Sequence, residues 1–223
     1  MSTRTLDPGR LHVFTDFDGT ITERDSLVFL IERLGGGPRR LALGVRRRLA
    51  GRLTLRDEIA SNMRSIRAPW SAAVTLLREH VRMDPGFPAC AAWCAAHGVP
   101  LTVLSGGFKE IVDLYLGPEA FPALEIRANT LHPDQRRGWR CVFRDRSQFG
   151  HDKARALREA CRRGRYVVFV GDGISDHAAA AVADEVFAKA GLARWCRAHA
   201  IPCREIRSFA DVMASLNARL PRR

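Results

Sequence analysis

Three short apolar segments, far apart in the chain, alternate with helical patterns. They cover residues 11–15, 100–104 and 166–170, and each ends abruptly in a cluster of acidic, hydroxyl or glycine residues. Uninterrupted apolar segments of this length are typical of parallel strands that helices cover on both faces. Because ligands in such sheets bind beyond the carboxyl ends of the strands, we expect the three polar clusters to meet in one site.

A long helical insertion separates the first apolar segment from the second. Helical patterns cover Ser26–Leu34 and residues 39–49, 54–66 and 71–81. The insertion is too long for a strand-to-helix loop, which predicts a small helical-bundle cap over the active edge of the sheet. We expect a catalytic core of residues 1–22 and 84–223 and a cap of residues 23–83, with hinges near residues 22–25 and 83–86.

The rest of the pattern completes the fold prediction. Residues 126–143 are typical of a polar hairpin that turns at residues 132–134, and a further strand is expected at 185–188, before closing helices that reach residue 220. The predicted fold class is therefore α/β. It consists of a doubly wound, mainly parallel, Rossmann-like sheet with the helical cap inserted after the first strand.

The composition adds a formal net charge of +12, which raises the possibility of a basic nucleic-acid-binding protein. Lys109, Lys153 and Lys189 are the only lysines, and the arginines are scattered through the predicted helices without interleaved aromatic residues. This pattern favours a general attraction of anionic substrates over a nucleic-acid surface.

Cysteine usage and the first residues suggest a compartment. None of the six cysteines forms a C-x-x-C pair, so they are interpreted as buried free thiols in a reducing environment. Residues 1–10 are polar and lack the apolar region of a secretory signal, and no segment approaches eighteen apolar residues. We therefore expect a cytoplasmic protein without a membrane span.

The segment Asp16-Phe-Asp-Gly-Thr20 is the most informative, because it places two carboxylates directly after the first buried segment. Such a pair also fits an aspartate that ends a strand and caps the next helix. However, Asp172 and Asp176 follow the third apolar segment in the same way. Concentrated carboxylate oxygen calls for a hard cation, and Mg²⁺ suits a few carboxylates, water and a substrate phosphate.

Two further segments supply groups that suit a phosphate. Ser105 and Gly106, at a predicted helix start, offer a hydroxyl and an unhindered backbone N–H. Lys153 opens another predicted helix and can place a positive charge over a phosphate. A nucleophile, a hydroxyl, a lysine and a metal-binding acid together meet the needs of phosphoryl transfer, which are positioning and neutralisation of charge.

These four segments, in this order, resemble the four motifs of the haloacid dehalogenase-like phosphatases. The likeness extends from residue 11 to about residue 211, and the insertion after the first motif is similar to the cap of the phosphoserine-phosphatase-like branch. The resemblance implies a Rossmann-like core, Mg²⁺ as the cofactor and a small phosphomonoester as the substrate.

The resemblance also implies catalytic and metal-binding roles. Asp16 would attack phosphorus to form an aspartyl-phosphate, and Asp18 would protonate the leaving oxygen and then activate water. Asp16, the backbone carbonyl of Asp18, and Asp172 would bind Mg²⁺. Asp176 would orient the metal's water and Lys153 without binding the metal itself.

The phosphoryl group would be held by a second set of residues that the same motifs contain. The resemblance assigns this role to Thr20, Ser105, the Gly106 amide and Lys153. Because the attacking aspartate and the phosphate repel each other, Lys153 would also act in catalysis by screening them together with Mg²⁺.

Asp25 and Asn62 occupy the cap positions at which phosphoserine phosphatases carry a glutamate for the amino group and an arginine for the carboxylate. Asparagine cannot pair with a carboxylate, so phosphoserine is not the expected substrate unless Arg56 or Arg64 substitutes. Asp25 fits equally an N-cap of the helix that begins at Ser26. Asp25 and Asn62 are therefore the candidate specificity residues.

A closer resemblance is to the methionine-salvage phosphatases, which act on 2-hydroxy-3-keto-5-methylthiopentenyl 1-phosphate. It rests on residues 16–22 together with Asp25, and on residues 53–59, 85–87, 187–193 and 195–196. Residues 140–146 replace the cysteine-rich segment that some salvage enzymes carry before the lysine motif, which leaves a related metabolite open as the substrate.

The same motifs are compatible with other functions. The same fold supports a phosphoserine phosphatase, or a phosphotransferase in which an acceptor other than water intercepts the aspartyl-phosphate. A catalytically silent regulator is disfavoured because no motif residue is missing. The sequence predicts neither the oligomeric state nor the pathway.

Overall fold

The computed structural model describes residues 5–221. Its strands are β1 Leu11–Thr15, β2 Leu101–Phe108, β3 Glu125–His132, β4 Arg140–Val142, β5 Tyr166–Gly171, β6 Glu185–Ala188 and β7 Arg204–Glu205. Its helices are α1 Ser26–Leu34, α2 Gly37–Leu49, α3 Leu55–Met63, α4 Trp70–His80, α5 Phe87–Ala96, α6 Lys109–Leu116, α7 Lys153–Arg162, α8 His177–Ala180, α9 Ala190–Ala198 and α10 Phe209–Asn217. A short 3₁₀ helix, Ile174–Asp176, precedes α8.

Within the described residues, the strands form one sheet in the order β4-β3-β2-β1-β5-β6-β7. The pair β3–β4 is antiparallel, and the other neighbouring pairs are parallel. The chain moves outward from β1 in one direction through β2 and β3 and in the other through β5 and β6, so the strand order reverses at β1. The predicted doubly wound, mainly parallel α/β fold is confirmed, and its reversal point is where such sheets bind ligands.

Both faces of the central strands are buried because helices cover both sides of the sheet. Val13 and Val168 belong to one hydrophobic cluster, whereas Phe14 and Phe169, their neighbours in sequence, belong to the other. All four side chains are at most 1% exposed. Burying side chains of this size stabilises the fold by about 1.5–3 kcal/mol each, which explains why the strand segments are continuously apolar.

Helices α1 to α4 lie between β1 and α5, where the helical insertion was expected. Helix α3 begins after Thr54, whose side chain accepts from the Asp57 N–H while the Asp57 carboxylate accepts from the Thr54 N–H. This reciprocal cap fixes the start of the helix. Helix α3 ends at Met63, earlier than the predicted residue 66, and the chain leaves it through two tighter turns, in which the Ser65 N–H donates to the Asn62 carbonyl and the Ile66 N–H to the Met63 carbonyl, at 3.0 Å each.

The two segments that lead into and out of this helical insertion lie side by side. Thr22 and Met83 form an isolated antiparallel bridge, and the Glu23 N–H donates to the Arg82 carbonyl at 2.9 Å. These contacts fall at the two expected hinges. They support a division between core and cap at residues 22–23 and 83–84, which we retain as a proposal.

The structure corrects the expected start of a helix at Ser105 and Gly106. Strand β2 continues to Phe108, and α6 begins only at Lys109. The register between β2 and β3 shifts between Leu104 and Phe108, which pairs with Asn129. The two glycines in this segment tolerate the irregular backbone, so the chain stays extended past the point at which the apolar pattern stops.

The described residues also account for the cysteines. All six are free thiols, three of them buried and three partly buried: Cys90, Cys94 and Cys196, then Cys141, Cys161 and Cys203. Their expected state as free thiols is confirmed. Among residues 5–221, no helix combines the length and the hydrophobicity that crossing a bilayer requires.

Candidate active site

The loop after β1 brings Asp16 and Asp18 to the switch point of the sheet. The Asp16 N–H donates to the Val170 carbonyl at 2.9 Å, which ties the start of the loop to the neighbouring strand. Gly19 turns the chain with a φ of +75°, and a Cβ atom there would lie 2.5 Å from Asp172 Oδ2. Glycine is required at this position both for the backbone angle and for the close approach of the Asp172 carboxylate.

Lys153 is the first residue of α7 and lies between two buried aspartates. Its Nζ atom is 2.6 Å from Asp16 Oδ1 and 2.6 Å from Asp176 Oδ1. The lysine is 2% exposed, and the Asp176 Oδ2 atom accepts from the backbone N–H groups of Asp172 and Gly173 at 3.0 Å each. The lysine is thus held at one position by two ion pairs, and Asp176 is held by the loop that carries Asp172.

Three of these carboxylates form a compact acidic cluster. Asp16, Asp172 and Asp176 each offer an oxygen, and these oxygens lie within 4.8 Å of one another. Burial raises the pKa of Asp16 to about 7 and that of Asp172 to about 8, and repulsion between the neighbouring carboxylates adds to the increase. The positive charge of Lys153 is therefore too small to balance the cluster, which is an arrangement that a divalent cation stabilises.

Asp18 has a different environment from Asp16. Its Oδ1 atom accepts from the backbone N–H of Ser26 at 2.9 Å and makes a second, shorter hydrogen bond with the Ser26 hydroxyl. Burial, followed by repulsion from Asp25, raises the pKa of Asp18 to about 8. A Cβ atom at Gly107 would lie 2.6 Å from Asp18 Oδ2, so this glycine makes room for the carboxyl. An aspartic acid of this kind can donate a proton near neutral pH.

The predicted phosphate-binding residues lie around the same loops. The Thr20 hydroxyl donates to Asp172 Oδ1 at 3.2 Å, and the Ser105 hydroxyl accepts from the Gly107 N–H at 2.9 Å. The Gly106 carbonyl accepts from the Asn129 side chain at 2.8 Å. In this arrangement the two hydroxyls bind protein groups, and their contact with a phosphate stays a prediction.

A cavity of about 400 Å³ opens above these carboxylates. Its core side contains both aspartates of the first loop together with Gly106, Gly107 and Asp172. Helices α1 to α3 supply an opposite wall that is largely apolar and that consists of Leu27, Val28, Ile31, Leu41, Val45, Leu55 and Ile59. The polar residues on this wall are Asp25, Arg48, Glu58 and Asn62. A ligand in the cavity would therefore meet acidic groups at one end and a mixed apolar and polar surface at the other.

Both candidate specificity residues line this cavity. Asp25 accepts from the Val28 N–H at 2.9 Å and so caps α1, and it also lines the cavity. The two interpretations of Asp25 are thus compatible. Asn62 is 5% exposed.

Neither arginine proposed as a substitute clamp lines the cavity. The Arg56 N–H donates to the Gln148 carbonyl, and its side chain approaches Asp57 at 3.7 Å. Arg64 lines a separate groove with residues 132–138 and 140. Arg48, which the sequence did not single out, is the arginine that reaches the cavity wall.

Sequence reasoning missed three residues that support the site. Ser26 binds Asp18, and Asn129 binds the Gly106 carbonyl. The Lys189 ammonium donates to the Thr20 carbonyl at 2.9 Å and to Asp84 Oδ2 at 2.7 Å, which joins the first catalytic loop to the segment that leaves the cap. Lys189 was marked by the rarity of lysine and by its place in the segment 187–193 that resembles the salvage phosphatases, whereas no pattern marked Asn129.

Comparison with known proteins agrees with this geometry. A family model described as haloacid dehalogenase-like hydrolase matches residues 13–181. The chain therefore belongs to the haloacid dehalogenase-like hydrolases. The expected enzyme class, a phosphoric monoester hydrolase, is confirmed, since named phosphatases are among its relatives.

Several relatives match almost their whole length. Pdp3-interacting factor 1 of Schizosaccharomyces pombe is 34% identical, and the match covers 93% of this chain and 95% of that protein. Polyol phosphate phosphatase PYP1 of Saccharomyces cerevisiae is 31% identical, with 92% and 91% covered. The 2-hydroxy-3-keto-5-methylthiopentenyl-1-phosphate phosphatase of Geobacillus kaustophilus is 26% identical, with 93% and 96% covered. The resemblance to the salvage phosphatases is thus confirmed at the level of family.

A solved structure shares the fold of this chain. A phosphoserine phosphatase, solved as a phospho-aspartyl intermediate analogue, aligns with a TM-score of 0.69 at 18% identity. The alignment covers 93% of this chain and 99% of that one. At this level of identity the likeness establishes the shared fold.

Proposed function

We propose that this protein is a Mg²⁺-dependent phosphatase that hydrolyses a small-molecule phosphomonoester through an aspartyl-phosphate on Asp16. The observation that carries the proposal is the buried group of Asp16, Lys153, Asp172 and Asp176. Its lysine is 2.6 Å from two of the carboxylates, and Asp16 opens onto the cavity. Such a group supplies a fixed nucleophile, and a cation bound beside Lys153 would provide the remaining positive charge that a phosphoryl group requires.

The acidic cluster fits Mg²⁺. Two oxygens bound to one Mg²⁺ at about 2.1 Å lie no more than roughly 4.2 Å apart. Oxygens of Asp16 and Asp172 lie within 4.8 Å of each other, so a small adjustment brings both to one ion. Asp16 and Asp172, with the Asp18 backbone carbonyl, are the proposed ligands. Asp176 already accepts from Lys153 and from two backbone N–H groups, which supports its role in orientation. When bound, the cation would neutralise charge on Asp16 and on the phosphate.

In the first step, a carboxylate oxygen of Asp16 attacks phosphorus while the bond from phosphorus to the ester oxygen breaks. Asp18 donates its proton to the departing oxygen, so the leaving group departs as an alcohol. The raised pKa of Asp18, about 8, keeps this proton available at neutral pH. Lys153 reduces the repulsion between Asp16 and the incoming phosphate dianion.

In the second step, the Asp18 carboxylate takes a proton from a water molecule that attacks the phosphorus atom of the aspartyl-phosphate. The bond between phosphorus and the Asp16 oxygen breaks, and inorganic phosphate and a free Asp16 carboxylate result. Ser26 holds Asp18 throughout by two hydrogen bonds to the same oxygen. The same carboxyl thus acts first as an acid and then as a base.

For the substrate, we propose a neutral, hydroxylated or keto-bearing phosphate ester, such as 2-hydroxy-3-keto-5-methylthiopentenyl 1-phosphate or a related metabolite. Asp25 and Asn62 supply hydrogen-bonding groups beside an apolar wall, and neither offers a cation for a carboxylate. Two of the relatives carry names that match such esters, one a polyol phosphate and one the salvage intermediate. L-Phosphoserine is expected to be a poor substrate, by a factor of about ten or more in kcat/KM.

The test is phosphate release from a panel of metabolite esters, with and without EDTA, by the wild-type enzyme and by Asp16→Asn. We expect Mg²⁺-dependent release by the wild type and less than about a thousandth of that rate from the variant. Asp113→Asn, on the exposed face of α6, is the matched control and should retain full activity. Full release in chelator would remove the metal from the mechanism, and turnover by Asp16→Asn above that level would remove Asp16 as nucleophile.

Phosphotransfer to another acceptor is separated from hydrolysis by adding alcohols and measuring whether new esters form. Nucleic-acid binding stays the alternative from another class. A retained complex with DNA or RNA at physiological ionic strength, abolished by added salt, would support it.

A further inference from the structure

An ion pair between two cap helices forms part of the cavity wall that faces the catalytic loop. The Arg48 Nε atom, on α2, donates to Glu58 Oε2, on α3, at 2.7 Å. The Glu58 side chain is 7% exposed and that of Arg48 is 20% exposed. Both residues line the same cavity as Asp16. Because the pair is largely removed from bulk solvent, each charge is neutralised chiefly by the other.

Gly44 on helix α2 leaves room for the Glu58 carboxyl. Gly44 lies one turn before Arg48, so both residues face α3. A Cβ atom at Gly44 would lie 2.9 Å from Glu58 Cγ and 3.0 Å from Glu58 Oε1. The absence of a side chain at this position lets the carboxyl rest against the helix backbone, within reach of the guanidinium. The ion pair is therefore built into the packing of the two helices.

The pair determines the charge that a substrate meets in the cavity. Arg48 is the single lysine or arginine among the described residues that line it, and the acidic residues there are Asp16, Asp18, Asp25, Glu58 and Asp172. Asp16, Asp18 and Asp172 belong to the catalytic end, so the leaving group faces Asp25 and the ion pair. A second anionic group on the substrate would meet one carboxylate and one guanidinium that is already neutralised.

We propose that Glu58 is a specificity residue: by neutralising Arg48, it restricts the cavity to phosphate esters whose leaving group is uncharged. The inference rests on the proposed phosphatase function. Arg48 has N–H donors besides Nε, and these suit the hydroxyl or carbonyl oxygens of a neutral leaving group. Without the charge of Glu58, the guanidinium becomes available as a bidentate partner for a carboxylate.

The test uses two esters that differ at one group. Glycerol 3-phosphate carries a hydroxymethyl group where 3-phosphoglycerate carries a carboxylate. The ratio of kcat/KM for the two is measured with the wild type, Glu58→Gln, the double variant Arg48→Gln/Glu58→Gln and the control Glu79→Gln. Glu79 lies on α4 with a side chain that is 60% exposed, away from the cavity wall. The generic ester p-nitrophenyl phosphate is measured in parallel.

We expect the wild type to prefer glycerol 3-phosphate by about tenfold or more. Glu58→Gln should move the ratio toward 3-phosphoglycerate by on the order of tenfold, because a desolvated charge pair forms between Arg48 and the substrate. The double variant should return to a ratio near that of the wild type, and Glu79→Gln should leave the ratio unchanged.

Three results would overturn the proposal. One is a Glu58→Gln variant that circular dichroism shows to be folded but whose ratio of kcat/KM values stays within about twofold of the wild-type ratio. Another is a shift that survives in the double variant, since Arg48 would then not be its cause. The third is a wild-type preference for 3-phosphoglycerate, which requires no variant. If p-nitrophenyl phosphate is also not hydrolysed, the proposed function fails as well; if it is hydrolysed, only the role of Glu58 fails.

Discussion

Replacing Lys153 by methionine tests whether the buried ion pairs hold the catalytic aspartates in place. The lysine is 2% exposed and is 2.6 Å from both Asp16 and Asp176. Methionine fills a similar volume but carries no charge. In Lys153→Met, the carboxylates must therefore remain charged in a buried site without their partner, or at least one more of them must bind a proton.

Both possibilities, unpaired charge and added protons, lower the free energy of unfolding. Removing one partner of a buried ion pair costs about 3–5 kcal/mol. Protonating a carboxyl at pH 7, when its pKa in the unfolded chain is about 3.9, costs roughly 4 kcal/mol, because each pKa unit corresponds to about 1.36 kcal/mol. At pH 5 the same protonation costs only about 1.5 kcal/mol. We therefore expect a loss of unfolding free energy of about 4 kcal/mol at pH 7 that decreases to about 1.5 kcal/mol at pH 5.

The pH dependence has a definite sign. In the variant, an aspartate whose pKa is raised in the folded state binds a proton that the unfolded chain releases above about pH 4. The folded state of the variant is therefore penalised increasingly as the pH rises toward 7. The assay is urea unfolding in EDTA, so that no divalent cation replaces the missing charge. For a chain of this length, the loss at pH 7 corresponds to a decrease in Tm of roughly 8–16 °C.

Lys109→Met is the matched control. Lys109 is 2.7 Å from Asp113, but its side chain is 56% exposed, so we expect a change of less than about 1 kcal/mol. The reasoning is refuted if Lys153→Met loses less than about 1 kcal/mol at pH 7, or if its loss is the same at pH 5. Either result would mean that the aspartates do not depend on the lysine for their charge balance.

Three further predictions concern the acid, the metal and a partly buried histidine. Asp18→Asn should slow the hydrolysis of alkyl phosphates by about 10²–10⁴-fold. It should slow formation of the aspartyl-phosphate from p-nitrophenyl phosphate much less, because that leaving group needs no proton. Equal losses of rate for the two substrates in single-turnover assays would contradict the role of Asp18 as acid. Ca²⁺ should inhibit in competition with Mg²⁺, because its larger and looser coordination disturbs the approach of Asp16; activity with Ca²⁺ equal to that with Mg²⁺ would contradict this. Burial and the charge of Arg165 lower the pKa of His12 to about 4, so its contribution to stability is fully present above pH 6.5 and is lost as the pH falls toward 4. In urea unfolding, the wild type should therefore lose at most about 3 kcal/mol of unfolding free energy over this pH range relative to His12→Gln. Parallel pH profiles of the unfolding free energy for the two proteins would contradict the assignment.

The sequence by itself determined the order of elements and the catalytic end of the site. Strands β1, β2 and β5 are buried on both faces, so their apolar segments are continuous and easy to recognise. The motif residues follow these strands directly, which places them at the carboxyl edge once the sheet is parallel. Local chemistry also determined cap features such as the Thr54 capping box, because a cap depends on residues only three positions apart.

The tertiary structure decided which distant residues meet. Nothing local marks Arg48 and Glu58 as partners, because their contact depends on how α2 packs on α3 with Gly44 between them. The position of Lys189, which joins Thr20 to Asp84, likewise depends on the sheet bringing β6 beside β5.

The backbone at the end of β2 was likewise decided by the tertiary structure. Its extension through Ser105 and Gly106 reflects pairing with Asn129 after a register shift, and no local pattern encodes that pairing. Local sequence thus determined the groups that carry chemistry. Packing between elements that are distant in the chain decided the charge and shape of the surface that selects the substrate, because those properties come from pairs of residues and not from single residues.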